Sequence, residues 1–149
     1  MIKHLFIAAA LALGGCAAKH GGESEQHAFK SIAAPTRPDI ATHITGEDDG
    51  KSVSVSAGTK IAVELIGVPT AGYVWMVKEQ PAFLAAAGET GGPTSEAQLQ
   101  PGFAGGSHWE VFYFDVTGSG EGALSLEQRR PWEEEGPPDA TFSVTIKAP

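Results

Sequence analysis

The sequence predicts an all-β domain, a sandwich of about seven or eight short strands. Three observations carry this. Apolar residues alternate with polar ones in short segments, the periodicity of half-buried strands. Gly and Pro are abundant, 19 and 10 of 149 residues, and fall between those segments as turn punctuation. Helical patterning is nearly absent, with Pro81 to Ala87 the only helix-favouring stretch, short and ended by Gly88.

The elements follow in order. Val53 and Val55 alternate with serines, and Ala57-Gly58-Thr59 is a turn. Ile61, Val63 and Leu65 alternate with Ala62 and Glu64, which gives one apolar face. Tyr73 to Val77 is a dense run of β-formers. Trp109 to Val116 is the strongest strand, with Phe112, Phe114 and Val116 on one face. Gly118 to Gly122 is a turn, and Leu124 and Leu126 share a face beyond it. Phe142, Val144 and Ile146 alternate through the last strand. Such a series predicts an immunoglobulin-like β-sandwich, here without a Cys-Trp-Cys pin. Trp75 and the Phe112/Phe114 pair are the expected centre of packing, because large aromatics dominate buried area.

The N-terminus reads as an export signal. Lys3 and His4 precede the apolar run Leu5 to Leu13. That run is too short for a spanning helix, which needs roughly 20 apolar residues, and it matches a secretory signal peptide over residues 1–15. Leu13-Gly14-Gly15-Cys16 resembles the lipobox of bacterial lipoproteins, in which the cysteine carries lipid. Cys16 is the only cysteine, so the exported domain folds without an internal disulfide. Ala17 after the cysteine resembles the outer-membrane sorting pattern of Gram-negative lipoproteins. The expected location is therefore the cell envelope. Residues 16–37, small and polar, read as a lipid-anchored tether, and residues 38–149 as the domain.

The formal net charge is −8. It argues against nucleic-acid binding, which uses a basic face. Glu47-Asp48-Asp49 and Glu133-Glu134-Glu135 carry part of the excess. Both read as solvated loop charge, with steering of a basic partner by the second, beside Trp132, as the alternative.

Three loops stand out. In Val68-Pro-Thr-Ala-Gly-Tyr73, Pro69 fixes φ and Gly72 permits positive φ, around the small residues Thr70 and Ala71. Gly105 and Gly106 allow close backbone approach. Arg130-Pro131-Trp132 sets interface-rich residue types beside a proline. None holds a catalytic set. His108 and Glu110 are too few for a zinc site, which wants three or four ligands. His20, His27 and His43 lie in or near the tether, and no Gly-x-Ser-x-Gly elbow occurs. No metal, cofactor or enzymatic activity is expected.

In order and spacing the three loops resemble those of the chagasin-type inhibitors of papain-like cysteine proteases, over residues 38 to 149. The matching positions are Pro69, Thr70, Gly72 and Tyr73, then Gly105 and Gly106, then Arg130, Pro131 and Trp132. Val68 stands where the family prefers Asn, Ala71 replaces a second Thr, and Phe103 stands in place of a Gly. The resemblance implies an immunoglobulin-like fold and reversible occlusion of a protease cleft. Residues Pro69 to Tyr73 would enter at the catalytic cysteine, Gly105 and Gly106 would line one side, and Arg130, Pro131 and Trp132 the other. An alternative reading is a lipid-anchored binding or assembly module of the envelope that uses the same loops without inhibiting anything.

Cys16→Ser is expected to release the protein from the membrane fraction or to block its processing. Unchanged fractionation rules the anchor out.

Overall fold

The structure, a computed structural model, describes residues 30–133 and 135–149. The expected signal peptide, Cys16, His20, His27, most of the tether and Glu134 lie outside the described residues. Eight strands follow in chain order: β1 (Thr42–Thr45), β2 (Ser52–Ser54), β3 (Lys60–Gly67), β4 (Val74–Glu79), β5 (Leu84–Pro93), β6 (His108–Val116), β7 (Gly120–Arg129) and β8 (Ala140–Ala148). They form two four-stranded sheets, ordered β1-β3-β6-β5 and β2-β8-β7-β4. The two short strands β1 and β2 pair in parallel with β3 and β8; the other pairings are antiparallel. This is the all-β, immunoglobulin-like sandwich expected from the alternation.

The inner faces meet where the pattern put them. In the first sheet Ile61 lies opposite Phe114 and Val63 opposite Phe112. In the second, Leu124 lies opposite Val144 and Leu126 opposite Phe142. All eight belong to one buried cluster. Each fully buried side chain of this size contributes about 1.5–3 kcal/mol relative to exposure.

Several expectations need correction. Pro81 to Ala87 is not helical: residues 82–83 turn, and β5 starts at Leu84. The helix preference of alanine over other residues is only a few tenths of a kcal/mol. Pairing Leu84, Ala85 and Ala86 with Val116, Asp115 and Phe114 outweighs it. Trp75 is half-buried at the rim of the core rather than at its centre. Its indole N–H needs an acceptor and finds the Ile66 carbonyl, 2.9 Å away, at the end of β3. The Gly118 to Gly122 turn is shorter than expected, because β7 already begins at Gly120.

β3 is buried on both faces, not one. Ala62 and Glu64 point away from the sandwich interior yet are buried, in a layer that includes Val111 and Tyr113 of β6. The cover is Ala34 in residues 30–37, which the sequence assigned to the tether, together with Ile40 and Ala87. Glu64 tolerates this because the Thr36 hydroxyl donates to it at 2.6 Å and the His43 ring nitrogen contacts the same oxygen. The acidic cluster at residues 47–49 is likewise not merely solvated. Asp48 accepts the Thr45 N–H at 2.9 Å, capping the 3₁₀ turn after β1, and Asp49 accepts the Ser143 N–H of β8 at 2.8 Å, so both carboxylates hold backbone.

Candidate functional site

Strand register brings the three loops to one end of the sandwich. Gly67, the last residue of β3, pairs with His108, the first of β6, and Pro93 at the end of β5 pairs with the same His108. In the other sheet Val74, the first residue of β4, pairs with Arg129, the last of β7. The β3–β4, β5–β6 and β7–β8 connections therefore emerge together. The first of them crosses between the sheets.

The β3–β4 loop is a single 3₁₀ turn, Pro69–Ala71. Pro69 presets its first position, and Gly72 ends it at φ 85°. Val68 makes no side-chain cap bond, as expected where Val replaces Asn. The Val68 carbonyl closes the loop instead, accepting from Ala71 N–H at 3.0 Å and Tyr73 N–H at 3.3 Å. Pro69, Thr70 and Ala71 are exposed at the tip.

The β7–β8 loop braces it. The Arg130 Nε–H donates to the Ala71 carbonyl at 3.1 Å. The guanidinium stacks 4.6 Å from the centre of the Tyr73 ring and donates to Glu133 at 3.0 Å. That bond to Glu133, more than any other contact, raises the Arg130 pKa above its ordinary value. Arg130 and Tyr73 thus hold the loops to each other, and Glu133 is engaged inside the site before any partner arrives. Trp132 lies across Gly72: a Cβ on Gly72 would sit 2.3 Å from the Trp132 ring. Gly72 is needed twice, for its positive φ and for this close approach. The rest of Trp132 is open, 68% exposed, with Pro131 exposed beside it.

In the β5–β6 connection, a 3₁₀ turn, Glu96–Leu99, leads into the glycines. The Thr70 hydroxyl donates to the Gly106 carbonyl at 3.5 Å, a long contact joining the first two loops. Phe103 lies against Gly106, within 3.5 Å of where its Cβ would be, and is 46% exposed; Leu99 nearby is 64% exposed. Sequence reasoning missed the residue that shapes this loop. The Gln98 carboxamide accepts from Thr94 N–H at 2.6 Å and Ser95 N–H at 3.1 Å, and donates to the Ser107 carbonyl at 2.6 Å. The signal was present as Ser95-x-x-Gln98, a capping-box pattern.

Beneath the loops, His108 and Glu110 face the sandwich interior, on the same side as the sequence suggested. Glu110 Oε2 accepts the Trp75 N–H at 2.9 Å, a bond from β6 to β4 that ties the two sheets together. Among the described residues, Glu110 Oε1 and His108 Nδ1 are buried without a hydrogen-bond partner. Burial pushes the Glu110 carboxyl above its ordinary pKa, Glu89 adds to this, and the Trp75 N–H and His108 oppose it.

Residues 54–146 match the model of the chagasin family peptidase inhibitors I42. Among solved structures, the chain is similar to the cysteine protease inhibitor EhICP2 from Entamoeba histolytica, with 19% identity and a TM-score of 0.63, covering 76% of this chain and 100% of that one. It is also similar to the solution structure of amebosin, with 25% identity and a TM-score of 0.57, covering 72% and 97%. No curated protein matches it.

Gly72→Ala is expected to destabilise the domain by about 1–3 kcal/mol, the scale of one strained backbone position. It should also shift the Trp132 indole resonance; an unmoved resonance contradicts the close approach. For Glu110 the folded pKa is raised, so its contribution to stability is full below the ordinary carboxyl value and is lost as pH rises through the raised one. Glu110→Gln should therefore gain on the wild type, in urea midpoint, as pH rises above the ordinary carboxyl value of about 4. Parallel pH profiles contradict this.

Proposed function

We infer that this chain, which belongs to the chagasin family of peptidase inhibitors, acts as a reversible, non-covalent inhibitor of papain-like cysteine endopeptidases. It is an inhibitor and not an enzyme. The observation that carries the mode of action is the bracing of three loops into one edge. Arg130 is bonded to the Ala71 carbonyl, Trp132 lies over Gly72, and Thr70 reaches the Gly106 carbonyl.

The turn of residues 69–71 enters the cleft at the catalytic cysteine. It presents a compact 3₁₀ backbone where a substrate presents an extended one. A nucleophile finds no extended scissile bond to attack, so the site is filled without cleavage. Gly105 and Gly106 run along one wall of the cleft with backbone contacts. Trp132 packs its open face on the other wall, with Pro131 at the tip. Arg130 and Tyr73 serve by keeping the first and third loops together.

Preorganisation supports this. A typical inhibitor interface buries about 1,600 Å² in total, yet affinity depends on how little must be ordered on binding. Here hydrogen bonds within and between the loops fix them beforehand. The exposed Trp132 supplies large apolar area at low entropic cost. In this reading the domain is held at the cell envelope, in the outer membrane of a Gram-negative cell, through lipid on Cys16.

Titrating the protein against papain should give stoichiometric, reversible inhibition. Trp132→Ala should weaken it by about 2 kcal/mol or more, roughly thirtyfold. No inhibition of several papain-like enzymes by the wild type contradicts the function, and an unchanged inhibition constant for the variant removes Trp132 from the interface.

A further inference from the structure

The family match begins at residue 54, yet residues 30–37 lie along the outer side of the first sheet with strand-like alternation. Ile32, Ala34 and Thr36 are half-buried, and Ser31, Ala33 and Arg37 are exposed. The later part of this segment is fastened to β6. The Tyr113 hydroxyl donates to the Pro35 carbonyl at 3.3 Å, and the Arg37 guanidinium stacks 3.9 Å from the centre of the Tyr113 ring. The earlier part reaches the base of the glycine loop. Ser31 bridges to Ser95, Ile32 N–H donates to the Thr94 carbonyl at 2.8 Å, and Glu96 N–H donates to the Lys30 carbonyl at 3.0 Å. The Trp109 indole N–H donates to the Ile32 carbonyl at 2.8 Å.

Thr94 and Ser95 are also the residues whose N–H groups Gln98 accepts while it donates to Ser107 across the loop. A connected set of bonds thus runs from residues 30–32, through Thr94, Ser95 and Gln98, to Ser107 beside Gly106. The β5–β6 connection holds Gly102, Gly105 and Gly106 at positive φ, and a Cβ on Gly102 or Gly105 would meet nothing within 4 Å. Packing restrains Gly102 and Gly105 little, so the path of the loop depends on how its base, and Gly106 against Gln98 and Phe103, are held.

We propose that residues 30–32, with Trp109, form a positioning strap that presets the glycine loop for binding. Residues 30–32 of the strap lie outside the part of the chain that the family match covers, and Trp109 lies inside it. It is not itself a contact for the target. It fixes Thr94 and Ser95, and through Gln98 fixes where Gly105 and Gly106 present their backbone. The binding role rests on the inhibitory reading above; the restraint of the loop does not.

Two substitutions in the full chain test this. Ile32→Pro removes the N–H given to Thr94, and Trp109→Phe removes the N–H given to Ile32 while keeping an aromatic ring. Hydrogen exchange at the amides of Glu96, Gln98, Gln100 and Phe103 is measured together with inhibition of papain. Exchange at those amides should accelerate at least about tenfold in both variants, with Ala71, Gly72 and Tyr73 unchanged. The inhibition constant should rise about fivefold to tenfold, mainly through faster dissociation. Unchanged exchange at those amides in both variants overturns the proposal. So does equal acceleration throughout both sheets, which is general destabilisation. Accelerated exchange with an unchanged inhibition constant confines the strap to stability and overturns its role in binding. A wild type that fails to inhibit papain counts against the inhibitory reading, and the exchange rates then still decide whether the strap holds the loop.

Discussion

Burial of β6 on both faces is the constraint on which the rest of the molecule depends. β6 pairs with β3 on one side and β5 on the other. Its inner face supplies Phe112, Phe114 and Val116 to the main core. Its outer face supplies Trp109, Val111 and Tyr113 to a second layer. Its start anchors the functional end: Ser107, just before it, takes the Gln98 amide, His108 meets both Gly67 and Pro93, and Glu110 reaches across to Trp75. A shift of β6 by one residue would exchange its two faces and move all three loop bases at once. Its register is therefore fixed by packing on both sides, and the loops inherit that precision.

The binding end is rigid for reasons that differ from loop to loop. The β3–β4 loop is a turn closed by its own backbone bonds to the Val68 and Pro69 carbonyls, with proline at its start and glycine at its end. The β7–β8 loop is fixed against it by an arginine whose donors are divided between the Ala71 carbonyl and Glu133, and by a tryptophan seated on a glycine. The glycine loop has the least intrinsic restraint and the most elaborate base, built from Gln98 and the segment before β1. Each loop thus has a different means of lowering the entropy it loses on docking, and the weakest one draws on the most distant part of the chain.

Polar groups in the interior follow the same geography. Among the described residues, Glu64 and Gln128 are buried, and His108 and Glu110 face the interior beneath the loops. Glu64 faces outward on β3, where Thr36 and His43 meet it. Glu110 sits under the loops and ties the sheets together through one oxygen. A carboxylate between sheets at that end costs stability that an apolar residue would not. It also places a directional bond where the first loop crosses from sheet to sheet, something apolar packing cannot supply.

The sequence by itself determined the fold class and the core. Phe112, Phe114, Leu124, Leu126, Phe142, Val144 and Ile146 all declare their burial through a period of two, because alternation is a local property of a strand. It also singled out the three loops, since proline and glycine constrain the backbone wherever they stand. Tertiary structure alone decided what depends on distant neighbours. It made a strand of Ala85 and Ala86, whose local preference is helical, because β6 offers a ladder. It moved Trp75 to the rim, where an acceptor for its N–H lies. It turned Arg130 inward to Ala71 and Glu133, and drew residues 30–37 onto β6. A short polar segment carries no periodic signal strong enough to show that an indole N–H 77 positions further on will bond to its backbone; such a contact exists only once the sheet that brings the two together has formed.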